Sequence, residues 1–131
     1  MSVSPVPTIS TVRILCIDDD KALLQCEKAL LESFGYSVMT APSGREGLEL
    51  AKCRGFDVVI VDYYMPKMNG HEFATAMRRF SPGVPIIMFS GDLNVPKEAL
   101  EVVDAFVTKD SLTSNLLSAI TLLSKETSAA A

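Results

Sequence analysis

Three aspartates stand side by side in "ILCIDDDKALL", residues 14 to 24, directly after an apolar run. At neutral pH Asp18, Asp19 and Asp20 repel one another. Two like charges about 4 Å apart cost about 4 kcal/mol at an effective near-surface dielectric of about 20. Either all three point into water, or something cationic belongs between them. A fourth acid, Asp62, closes the run "FDVVIVD"; a hydroxyl, Ser90, closes "VPIIMFS"; and Lys109 follows "DAFVT". Exposed strand ends are polar in any case, which accounts for the acids but less easily for a lone lysine and a lone hydroxyl beside them. Together these groups suit a hard dication and a phosphoryl group. Carboxylates supply oxygen ligands to Mg2+, which keeps several waters and bridges to phosphate oxygens. Lys and Ser neutralise and hydrogen-bond the oxygens that remain.

Such residues need elements that bring them together. Residues 1–10, with Pro5 and Pro7, read as a loose leader, residues 11–125 as one domain, and residues 126–131 as a short tail. Within the domain short apolar runs alternate with helical spacing. "VRILCI" is a first strand, followed by a helix over "KALLQCEKALLESF" with apolar residues at 23, 30, 31 and 34. Asp20 stands where its N-cap would be and Gly35 where a C′ glycine would be. "YSVMTA" is a second strand, and "SGREGLELAKC" a helix weakened by two glycines. "FDVVIVD" is nearly continuous in apolar character, as a strand buried on both faces is. "HEFATAMRRF", a helix opening at Pro96 and running to about Val103, and "SLTSNLLSAITLLSK" supply three more helices. "VPIIMFS" and "DAFVT" supply two more strands. Five strands alternating with five helices imply βαβ units and a doubly wound five-stranded parallel α/β sheet. In such a sheet ligands bind outside the carboxyl ends of the strands, where the polar residues above fall.

Composition narrows the function further. The chain has 131 residues, 48% of them hydrophobic, enough for one cored domain. Its net charge of −4 leaves no basic footprint for nucleic acid. The aliphatic run "VVIV" is far too short to span a bilayer, and "MSVSPVPTIST" is no signal peptide, so a cytoplasmic location is expected. Cys16, Cys26 and Cys53 form no CxxC pair and read as reduced thiols, with packing the expected role of Cys16, in an apolar run, and of Cys26, at helical spacing.

"ILCIDDD", "VVIVDYYMPKMNG", "IIMFSG" and "AFVTK", in that order, resemble the receiver domain of two-component response regulators, of the CheY-like kind. The resemblance spans about residues 11 to 125 and implies strand order 2-1-3-4-5. It implies that Asp62 is the phosphoacceptor, taking its phosphoryl group from a sensor histidine kinase or a phosphotransfer protein. Asp18, Asp19 and Asp62, with the backbone carbonyl of Tyr64, would hold Mg2+. Lys109 would pair with Asp62 and then with the phosphoryl oxygens. Ser90 would hydrogen-bond the phosphoryl group, and Phe106 would follow its movement. Asp20 is left to cap the first helix, while Pro66 and Gly70 shape the turn in "MPKMNG". So short a chain after the last helix implies a single-domain switch rather than an enzyme, with output through contact with an unknown protein. Two alternatives stand beside it: a degenerate receiver that binds without phosphorylation, and a phosphatase with an Asp nucleophile. The second wants an acid two residues after the nucleophile, where Tyr64 stands. Asp110 follows Lys109 where the family usually has a cis-linked proline. Cis before a non-proline costs about 3–4 kcal/mol, so this bond is expected to be trans, with Asp110 capping the last helix.

Overall fold

The computed structural model describes residues 11–92, 94–111 and 114–130. The expected leader, residues 1–10, lies outside them, as does Leu112, which the helical spacing of the last apolar run puts on one stripe with Leu116, Ile120 and Leu123. Alternating β-branched and aliphatic runs become β1 (Arg13–Ile17), β2 (Ser37–Ala41), β3 (Val58–Val61), β4 (Ile86–Ser90) and β5 (Ala105–Thr108). Between them lie α1 (Lys21–Ser33), α2 (Gly44–Cys53), α3 (Gly70–Phe80), α4 (Lys97–Leu100) and α5 (Ser114–Ala130). The strands pair in parallel in the order β2-β1-β3-β4-β5, as expected.

Side chains alternate across the strands and build two cores. Ile14, Cys16, Ile60, Phe89 and Val107 face Leu24 and Leu31 of α1 and Leu116 and Ile120 of α5. Leu15, Ile17, Val59 and Val61 pack on Phe73, Ala74 and Met77 of α3. The same alternation gives Asp18, Asp62 and Lys109 the parity of Cys16, Ile60 and Val107, on the α1/α5 side. Ser90 has the parity of Met88, on the other side.

Caps fix where the helices begin. The Asp20 carboxylate accepts the Leu23 N–H, as its N-cap role required, and Gly35 turns the chain at φ +93°. Asn69 and Glu72 form a reciprocal capping box on α3.

Four expectations are corrected. The buried face of α1 is Leu24, Glu27 and Leu31, while Phe34 is 56% exposed. The helix lies on the sheet a fraction of a turn away from the phase its apolar residues suggest. α4 stops at Leu100 rather than near Val103, and Pro96 is its N-cap. Beyond it the Val102 carbonyl is taken by Arg78 Nε at 3.1 Å, and the Asp104 N–H already donates to Ile86. α5 continues to Ala130, past the boundary drawn at residue 125, through a segment containing the good helix formers Lys, Glu and Ala. Cys26, expected to pack, is exposed, while Cys16 is buried as expected.

Candidate functional site

Register assembles the site. Ile17 pairs with Val61, so the residues that follow, Asp18 and Asp62, emerge side by side where the strand order reverses. Backbone bonds tie these ends down: Asp62 N–H donates to Ile17 O at 3.0 Å and Asp18 N–H to Ala41 O at 3.2 Å. Ser90 pairs with Thr108, which delivers Lys109 beside them. Gly70 lets α3 approach the end of β3. A Cβ there would lie 2.5 Å from the Asp62 carbonyl oxygen, and the Gly70 N–H donates to Tyr63 O at 2.8 Å.

Lys109 is the cation of the cluster. Its Nζ stands 2.6 Å from Asp18 Oδ2 and 3.3 Å from Asp62 Oδ2. The resemblance pairs it with Asp62, yet its shorter contact is with Asp18. The other Asp18 oxygen accepts the Asp20 N–H at 2.9 Å. Asp18 and Asp62 are buried, at 2% and 8% exposure, while Asp19 faces solvent.

Two buried acids thus share one ammonium, with the Asp19 carboxylate beside them. Burial first, then the Asp18 charge, push Asp62 up to about 6 against the pull of Lys109. Burial lowers Lys109, but its contact with Asp18 and the charges of Asp62 and Asp18 outweigh that and hold it above its usual value. One oxygen from each of Asp18, Asp19 and Asp62 can be chosen so that all lie within 4.8 Å of one another. This all-oxygen, over-acidic donor set fits a hard dication.

The remaining expected residues surround this cluster. Ser90 is buried, and its Oγ accepts the Asp92 N–H at 3.2 Å. Tyr64 lies in the loop two residues beyond Asp62, half exposed, with its ring edge-to-face on Tyr63 at 4.7 Å. Phe106 packs on the patch of Met88, Val95 and Ala99 rather than among the charges. No cis peptide occurs among the described residues, so Lys109–Asp110 is trans as expected. Asp110 lies in a 3-10 turn, Lys109–Ser111, and its carboxylate accepts from Thr108 Oγ1; residues 112 and 113, where the last helix's expected cap would act, lie outside the described residues.

Glu27 was not singled out from the sequence. It is 2% exposed and is pushed up to about 8 by burial and by the Asp18 and Asp62 charges, with Lys109 opposing. An acid between apolar residues of a helix reads as a solvated position. The one available signal was its i+3 and i−4 spacing from Leu24 and Leu31.

The family model of the response regulator receiver domain matches residues 14–121. The cell cycle response regulators CtrA of Brucella ovis and Brucella abortus are each 34% identical over 80 residues, 61% of this chain and 34% of theirs. The match therefore spans about a third of the length of these curated relatives. A receiver domain protein from Clostridium thermocellum superposes with a TM-score of 0.84 at 32% identity, over 92% of this chain and 99% of that one. Chemotaxis protein CheY4 of Vibrio cholerae gives 0.81 at 32%, over 87% and 99%. Response regulator TrrA of Thermotoga maritima, in complex with Mg2+-BeF, gives 0.83 at 27%, over 86% and 99%.

Proposed function

The chain belongs to the response regulator receiver family, and on that premise we propose that it is a phosphorylation-driven switch with Asp62 as its phosphoacceptor. The observation that carries the reading is Lys109 bridging Asp18 and Asp62, beside Asp19, at the carboxyl ends of the strands. The donor is a phosphohistidine on a sensor histidine kinase or phosphotransfer protein, and the output is contact with a protein target.

An Asp62 carboxylate oxygen attacks phosphorus, forming a P–O bond as the P–N bond breaks, and the bonding pair leaves with the imidazole nitrogen. Asp18, Asp19 and Asp62, with the Tyr64 carbonyl, would hold Mg2+, which when bound offsets charge on the carboxylates and phosphoryl oxygens. Lys109, already within reach of Asp62, neutralises a phosphoryl oxygen. Ser90 gives up its contact with the Asp92 N–H to hydrogen-bond another. Phe106, on the patch beside β4 and β5, repacks as Ser90 moves. Burial of Asp62 keeps water from competing for these contacts.

Incubation with acetyl phosphate and Mg2+, read by intact mass, tests this. One phosphoryl group should appear, on the peptide covering residues 56–67, and none in Asp62→Asn. A modified peptide elsewhere would refute the site.

A further inference from the structure

Two acids hold the tip of Lys109, but the direction of its stem is set by the chain on either side of it. Ser90 and Thr108 form the last paired rung between β4 and β5, and Lys109 opens the 3-10 turn Lys109–Ser111. A lysine carries its ammonium on a flexible stem, so its aim depends on how firmly its own backbone is held. The Gly91 backbone beside the stem is no clamp: a Cβ there would lie 3.8 Å from Lys109 Cδ, an ordinary contact. The Lys109–Asp110 bond is trans, and no proline ring fixes the chain's exit from the strand.

A side-chain hydrogen bond spans the lysine instead. The Thr108 hydroxyl donates to the Asp110 carboxylate, joining the residues immediately before and after Lys109. Side chains alternate along a strand, so Thr108 points away from the α1/α5 side to which Val107 belongs. The hydroxyl thus acts from the far side of the chain, through the backbone. In an ordinary turn such a bond only tightens the bend. Here the bend carries the ammonium that stands 2.6 Å from Asp18 Oδ2 and 3.3 Å from Asp62 Oδ2.

We infer that Thr108 and Asp110 are positioning residues for Lys109: their hydrogen bond fixes the backbone around the lysine and turns its ammonium toward Asp18. The inference rests on the reading of Asp62 as phosphoacceptor and adds the groups that set the partner of Lys109. With the closer contact given to Asp18, the Asp62 carboxylate is less engaged and freer to attack phosphorus. The ammonium still lies near enough to take up a phosphoryl oxygen as the P–O bond forms, and such reactions depend on placement within about an ångström. The clasp itself exchanges no proton and forms no covalent bond. Without it the stem samples more directions, and fewer molecules present a free carboxylate and a poised ammonium together.

Phosphoryl uptake from acetyl phosphate is timed by intact mass across a range of Mg2+ concentrations in the wild type, Thr108→Val and Thr108→Ser. Thr108→Val removes the hydroxyl, keeps the side chain's shape and every charge, and suits a strand. It should slow maximal uptake on the order of tenfold. The half-saturating Mg2+ concentration should not move, because the aspartates stay in place. Thr108→Ser restores the donor and should stay within about twofold of the wild type. Crystal structures of the unphosphorylated wild type and Thr108→Val give a readout that needs no donor: Nζ should stand nearest Asp18 in the first and not in the second. An unchanged rate or an unmoved Nζ in Thr108→Val overturns the inference, as does a slowing that serine fails to restore. A wild type that takes up no phosphoryl group, while the two structures differ as expected, overturns the reading of Asp62 and leaves the hold on Lys109 standing.

Discussion

Two ion pairs of nearly the same length sit at opposite ends of the sheet and are built for opposite purposes. At the amino ends of β4 and β5, Arg78 Nη2 meets Asp104 Oδ2 at 2.7 Å. The rest of the guanidinium is fully used: Nε donates to Val102 O, and Nη1 donates to Pro82 O and to Val84 O at 2.6 Å. Asp104 Oδ2 also accepts the Ile86 N–H at 2.8 Å. One positive and one negative group thus tie α3 to two strand entrances with their partners supplied by the fold. At the carboxyl ends, Lys109 meets Asp18 at 2.6 Å, but Asp62 shares that ammonium and Asp19 adds a third carboxylate. Ion-pair distance therefore says little about purpose. The first cluster is neutral and complete. The second is left short of positive charge, a destabilising arrangement expected of a site that awaits a cation.

The contrast is open to direct attack. The largest effect should fall on phosphoryl uptake: Asp62→Asn should lose it entirely, whereas Arg78→Ala should retain it, both read by intact mass after acetyl phosphate and Mg2+. Loss of uptake in the folded Arg78 variant would mean that the two ends are not independent.

Stability should behave in the reverse way. Arg78→Ala should lower the unfolding free energy by about 2–3 kcal/mol in urea titrations, because partly buried acceptors lose a charged donor. Arg78→Lys should recover less than half, since an ammonium cannot reproduce the fork. Full recovery by lysine would reduce the staple to a simple charge.

Mg2+ should stabilise the carboxyl-end cluster alone. At ten times its dissociation constant, a ligand that binds only the folded state adds about 1.4 kcal/mol. Asp19→Asn should abolish the resulting rise in melting temperature, and Asp104→Asn should keep it from a lower baseline. Equal shifts in wild type and Asp19→Asn would move the cation elsewhere.

The smallest effect concerns pH in the presence of a chelator. The Glu27 value is raised in the fold from about 4.5 to about 8, so the folded state binds its proton more tightly than the unfolded chain does. The stabilisation is complete below the unfolded value and is lost as pH rises towards 8. Wild type should therefore lose about 1.3 kcal/mol more than Glu27→Leu between pH 6 and 7, measured by urea midpoints. Identical slopes would show that Glu27 titrates alike in both states.

Much of this was legible along the chain. "VVIV" and "IIMF" can be buried on both faces only inside a parallel sheet, and the groups placed directly after the strands mark the ligand-binding end. Asp20 and Gly35 announced their caps because capping is settled by neighbours a few residues away. Even the trans bond after Lys109 followed from the residue type alone. Where the outcome depended on docking, the reading slipped: the face of α1 and the early stop of α4 both turn on contacts with other elements.

The amino-acid sequence by itself determined the alternation of strands and helices, the cap positions, and the kinds of group at each strand end, because periodicity and local backbone chemistry act over a few residues. Only the tertiary structure decided that Lys109 leans on Asp18 more closely than on Asp62, across 91 residues of chain. It also decided that Glu27 is buried on the inner face of α1. Partner choice and protonation depend on strand register and on how a helix lies on its sheet. A shift of either by a fraction of a turn would return Glu27 to water and Lys109 to another acid.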